Sequence, residues 1–199
     1  FYTFLPWVRT GIAQAVTAPL SGIRAGAHVS VAVQGGGRSV DVSQDLLVRG
    51  PGDVLSISPQ QVIRRYPEDG HPRVEDSFLA HVEFDRPDFP WIFSPAAPTG
   101  DQLAPWVTLV VLRTSHATLF PAADDLPAHV QTTMSELQPL DDASVWAHAQ
   151  VAGPPDAATA GASVADRLTD AYAAQNLSRV LCPRRLEPDE SYLACLVPT

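Results

Sequence analysis

The residues whose types and spacing suggest chemistry are His81, Glu83 and Asp85, within the run FLAHVEFDRP. On an extended strand alternate side chains point the same way, roughly 6 to 7 Å apart. An imidazole and two carboxylates in such a row would offer mixed nitrogen and oxygen ligands to a divalent metal, as in a metal-dependent hydrolase, or a histidine–carboxylate acid–base pair. The plainer reading is the polar face of a half-exposed strand, and it is preferred. The other histidines, at 28, 71, 116, 129 and 148, show no ligand spacing. No catalytic, cofactor-binding or metal residue is assigned, and the chain is expected not to be an enzyme.

Other reactive motifs are missing. No serine sits in G-x-S-x-G, so the hydrolase elbow is absent. Gly35, Gly36 and Gly37 are followed by no lysine, which removes a phosphate-loop reading. The pairs Asp124–Asp125 and Asp141–Asp142 lack the alternating ligands of a calcium loop and read as solvated acids. Cys182 and Cys195 form no disulfide framework. Two inert thiols are expected, and a bridge would need the intervening segment to turn back on itself.

Charge narrows the partners. The chain has 199 residues with 13 basic and 22 acidic side chains, a formal net charge of -9. All the basic residues are arginine. A nucleic-acid groove needs concentrated positive charge, and an anionic membrane surface repels an acidic chain. The longest apolar run, Trp106 to Leu112, is far short of the roughly 20 residues that cross a bilayer. Residues 1 to 8 lack the basic start and long apolar stretch of a signal peptide. The absent initial methionine and the apolar run just before Thr199 suggest part of a longer protein, and the cysteine usage suggests a cytoplasmic one.

The elements that must position these residues begin with segment 1–26, read as an extended arm anchored by Phe1, Phe4, Leu5 and Trp7. It either packs on its own domain or is donated to a neighbour. Residues 27–199 read as a single α+β domain. Val29, Val31 and Val33, then Val40 and Val42, alternate with small or polar residues about the glycine triplet. This predicts a β-hairpin with one buried face. A Pro51–Gly52 turn leads to a short strand at 54–57, and 64–77 reads as a solvated loop. Val82 and Phe84 share a strand face that Pro87 and Pro90 terminate. PWVTLVVLR, at 105–113, is apolar throughout and predicts a central strand buried on both faces. A short helix is expected over 141–149, a flexible loop over 152–162, and a helix capped by Ser163 from 164 to about 176, extended a turn by Leu177, Val180 and Leu181. Tyr192 to Val197 predicts a last strand. The fold class is thus α+β: mainly antiparallel sheet or sandwich in the N-terminal two thirds, two short helices, then a final strand.

Tryptophans and phenylalanines gather near prolines at 1–7, 84–93 and 105–106, and such aromatics serve as core or as interface anchors. Arginine adds planar, multidentate contacts that lysine cannot make. Four segments carry a resemblance: FLPWVRTGIA (4–13), GPGDVLSI (50–57), EFDRPDFPWIFSPA (83–96) with PWVTLVVL (105–112), and SRVLCPRRLEPDESYLACLVPT (178–199). With VWAHAQ (145–150), they resemble a largely bacterial family associated with gene clusters for phage-tail-like contractile injection systems. The resemblance runs through nearly the whole chain. It implies a non-enzymatic structural component, at the baseplate or another fixed position, docked to partner protein subunits by aromatic and arginine contacts. It implies no catalytic residue and no cofactor. The alternative from the residues is a β-sandwich ligand-binding module with Trp91 or Trp106 exposed.

Overall fold

The computed structural model describes residues 2–16, 19–20, 24–75, 77–123, 126–153, 164–168 and 170–199. The expected anchor Phe1, the pair Asp124–Asp125, the cap Ser163 and most of the expected loop 152–162 lie outside the described residues. The fold is α+β with antiparallel strands predominating: β1 Tyr2–Leu5, β2 Pro19–Leu20, β3 Arg24–Gly35, β4 Arg38–Leu47, β5 Val62–Tyr66, β6 His81–Phe84, β7 Val107–Arg113, β8 Ala117–Phe120, β9 His129–Thr132, β10 Ala147–Ala152, β11 Leu177–Leu181 and β12 Tyr192–Pro198. The helices are single turns, α1 Val164–Arg167 and α2 Asp170–Ala173.

Five strands form the main sheet in the order β1-β10-β11-β6-β5, every neighbouring pair antiparallel. Its inner face is built by alternation. Val82 and Phe84 of β6, Val180 of β11, and Ala147 and Ala149 of β10 all enter the core. The opposing layer is β7 with β12 in register from Val107↔Pro198 to Arg113↔Tyr192. Val107, Leu109 and Val111 face the core, while Thr108, Val110 and Leu112 are buried on the other side. Gln138 Nε2 donates to the Leu109 carbonyl at 2.7 Å. The expected double burial of this strand is therefore observed, but it is not central in a large sheet. Its apolarity matches burial on both faces of a two-stranded sheet.

Proline-rich turns complete the core. Phe89–Trp91 form one 3-10 turn, and Phe84 stacks on Phe89 with centroids 4.1 Å apart. The Trp91 indole donates to Leu103 O at 3.1 Å and the Trp106 indole to Phe89 O at 2.6 Å. Both rings are almost wholly buried, so the binding patch expected from an exposed Trp91 or Trp106 does not exist. Their indoles are consumed in tying the 89–106 segment together.

The N-terminal segment packs on its own domain. β1 pairs with β10 from Tyr2↔Ala152 to Leu5↔Ala149. Just beyond it, buried Arg9 donates to the carbonyls of Val16, Ser94 and Ala96 at 3.2, 2.6 and 2.8 Å.

Four local expectations are corrected. Residues 54–57 make no strand: a 3-10 turn at Pro51–Asp53 precedes them, and Val54 and Ile57 serve as core-edge packing. Part of the expected loop 64–77 belongs to β5. The expected helix at 141–149 is a 3-10 turn, Ala143–Trp146, running directly into β10. Leu177 to Leu181 continue no helix; they form β11, whose Ser178 and Val180 must reach the core face. Cys182 and Cys195 are both free thiols, and burial pushes both above their ordinary value.

Candidate functional site

Two places merit attention: the outer face of the main sheet and the hairpin β3–β4.

Strand pairing puts Glu83 opposite Arg179, and Arg179 opposite His148, so three strands contribute to one row on the outer face. Arg179 Nε donates to Glu83 Oε1 at 2.6 Å, and Nη1 donates to Gln150 Oε1 at 2.9 Å. His148 Nε2 lies 3.4 Å from Nη1. A guanidinium only donates, so that imidazole nitrogen is an acceptor. His81 Nδ1 lies 3.0 Å from Leu79 O, which sets its proton on Nδ1. Its Nε2 stands 4.0 Å from Glu83 Oε1, beyond a hydrogen bond.

Aromatic rings close the row at both ends. Tyr66 stacks on His81 with centroids 5.4 Å apart, and Phe78 meets Tyr66 edge-on. Phe4 meets His148 edge-on at 5.5 Å. Between these ends the Glu83 side chain is only 7% exposed and that of Arg179 21%. Burial, then the nearby Arg179 and His81, hold the His148 imidazole below its ordinary value, so it is neutral at pH 7.

His81 and Glu83 are therefore neighbours, as their spacing implies, but Asp85 is not with them. β6 ends at Phe84, and Asp85 is an exposed residue whose N–H bonds to Gln61 O. Among the described residues no group of three or more His, Cys, Asp or Glu side chains is placed to hold a metal ion. The face is polar as expected, but the expected half exposure is corrected at Glu83, which is buried. Arg179, His148 and Gln150 turn the face into a largely satisfied ion-pair network, whose chemical capacity is to lock three strands in register. These partners were missed because they come from strands far along the chain. The alternation in Ala147-His148-Ala149-Gln150 is the signal that would have found two of them.

A second network holds the β7 end. The buried Glu136 carboxylate accepts from Arg184 Nη1 at 2.7 Å, from the Arg113 backbone N–H at 3.3 Å and from Arg113 Nη1 at 3.3 Å, with His116 Nδ1 at 3.1 Å. The Arg184 hydrogen bond leads in holding it down to about 2. An open depression lined by Ala97, Gln102, Leu140, Asp141 and Ser144 involves neither network.

The hairpin differs from everything else. Gly36 and Gly37, at φ 56 and 75, form the two-residue turn that matches strand twist, and ten residue pairs follow from Gly35↔Arg38 to Gly26↔Leu47. The direct pairs Val31↔Val42 and Val33↔Val40 make one face apolar. The other face carries Ser30↔Ser43, Ala32↔Asp41 and His28↔Asp45, the last joined at 2.7 Å. The strand alternation is as expected, but the expected burial is not found. Val31, Val33, Val40 and Val42 are 55 to 59% exposed. Every residue from Ser30 to Leu47 is exposed, and among the described residues of β3 burial is seen only at Gly26, Ala27 and Val29. Periodicity predicts that a face is apolar; it does not say that the same chain covers it.

No family model, curated protein or solved structure matches this chain. No helix among the described residues is long and apolar enough to cross a membrane.

Proposed function

We propose that this chain is a protein-interaction module: a non-enzymatic assembly component that docks to other protein subunits through the β3–β4 hairpin. The supporting observation is a ladder of four paired valines left in water on a two-stranded ribbon. Isolated hairpins are marginal in water, and an apolar face on a single ribbon gains stability only by being covered. Exposed Tyr2, Phe4, Phe78 and Phe120, with exposed Arg64, Arg65 and Arg73, supply further contact chemistry of the kind interfaces favour. Trp91, Trp106, Arg9, Arg113 and Arg184 do not, since the fold uses them internally.

The sequence resemblance extends this reading to a particular assembly, a phage-tail-like contractile injection particle put together in the cytoplasm, with this chain at the baseplate or another fixed position. The test is gentle isolation of the tagged chain from its own cells, followed by native mass measurement and electron microscopy. Recovery within a large plate-like or tubular particle supports both levels. A defined complex of other form retains the docking module and removes the particle. A free monomer at every salt concentration removes both.

A further inference from the structure

The geometry points to β4 as the acceptor edge for a β-strand of a different protein, one alternating aliphatic with basic residues. This rests on the docking reading above and names the chemistry of the partner.

Two observations locate the edge. β3 is partly covered at its base, where Arg24 and Ala25 pair with β2. β4, from Arg38 to Leu47, pairs with β3 alone among the described residues. Counting from the two-residue turn, the closing pair Gly35↔Arg38 is hydrogen-bonded and pairs then alternate. The N–H groups of Ser39, Asp41, Ser43 and Asp45 therefore point away from β3. Natural edges are blunted by proline, bulges or charged side chains, lysine above all. β4 has no proline and no lysine, and its register is unbroken; the charges beside its outward N–H groups, Asp41 and Asp45, repel an acidic strand and favour a basic one.

Side chains then define the incoming strand. On one face a strand beside β4 meets Val40 and Val42; on the other it meets Asp41 and Asp45. Directly opposed residues share a face, so aliphatic side chains would sit against the valines and basic ones against the aspartates. A second copy of this chain fits less well. In a β4–β4 pairing of two copies, Asp41 and Asp45 of one copy would share a face with those of the other. Two copies would also bring together chains carrying a net charge of -9 each. Strand addition adds a ladder of backbone hydrogen bonds, which face-to-face stacking does not.

The test uses the full 199-residue chain and two end-capped peptides of about nine residues, one alternating valine with lysine and one valine with glutamate. Binding is followed by fluorescence anisotropy and by residue-resolved amide exchange. The valine–lysine peptide is expected to slow exchange at Ser39, Asp41, Ser43 and Asp45, and to bind about tenfold more tightly than the valine–glutamate peptide. Asp41→Lys should erase or reverse that preference. Ser43→Pro, which removes an outward N–H, should abolish the protection while Val31 and Val42 stay paired. Equal binding of the two peptides, or no protection at these amides, overturns strand addition. If Val31→Asp/Val42→Asp also leaves the chain's association in its own cells unchanged, the docking reading falls with it; if association is lost, docking stands and only the edge assignment is overturned.

Discussion

Replacing Trp106 by alanine tests the claim that the tryptophans hold the fold rather than dock a partner. The ring is 1% exposed, lies 5.2 Å from Phe93 and 5.6 Å from Phe89 by centroids, and its indole donates to Phe89 O. An indole buries roughly 200 Å², worth about 5 kcal/mol at ~25 cal/mol per Å². Alanine retains its β-carbon, and Phe89 and Phe93 will relax partly into the gap, which lowers the loss. The orphaned Phe89 carbonyl adds about 1 kcal/mol. The expected net loss is about 3 to 5 kcal/mol. Urea unfolding followed by far-ultraviolet circular dichroism measures it without relying on tryptophan emission. Trp106→Phe should lose less, because it keeps an aromatic ring and forfeits the N–H. A loss below about 1 kcal/mol for Trp106→Ala would refute the packing account.

The remaining predictions concern charge and the hairpin. The Glu136 carboxyl lies below its ordinary 4.5 in the folded chain, at about 2, so its contribution is present above pH 4.5 and lost as pH falls toward 2. Glu136→Gln should flatten the urea midpoint across that window; parallel pH curves would contradict the network. Arg179→Met leaves the nearly buried Glu83 carboxylate without its guanidinium, and should cost about 3 kcal/mol at neutral pH. A neutral result would mean that water reaches Glu83 freely. Val31→Asp/Val42→Asp sets two carboxylates directly opposite each other and should loosen the hairpin by about 1 kcal/mol. The stability of the body in urea should change by no more than about 0.5 kcal/mol per site, since both valines face solvent. A large loss would mean that the chain covers this face itself.

Where periodicity carried contrast, the sequence was informative. Valines against small and polar residues defined β3 and β4, and unbroken apolarity predicted the buried β7. β10 and β11 were misread for a physical reason. In β10 the core-facing positions 147 and 149 are alanine, whose small size blurs the difference between inner and outer faces, and helix propensity then dominates. Leu177–Leu181 follows a helical pattern directly, so local reading extends the helix; pairing with β6 and β10, contacts made across 94 to 100 and 27 to 33 residues, decides otherwise. For the same reason His81 and Glu83 were legible as neighbours, whereas Arg179 and His148 were not. Burial of the valine face was unreadable because alternation describes one strand, and cover belongs to the whole assembly.

The most direct test of docking is gradient sedimentation of gently lysed source cells expressing either the native chain or Val31→Asp/Val42→Asp at equal levels. The account predicts that the native chain sediments with a large complex and the variant, though folded, remains at the top of the gradient. Co-sedimentation of the two in the same fractions would contradict it.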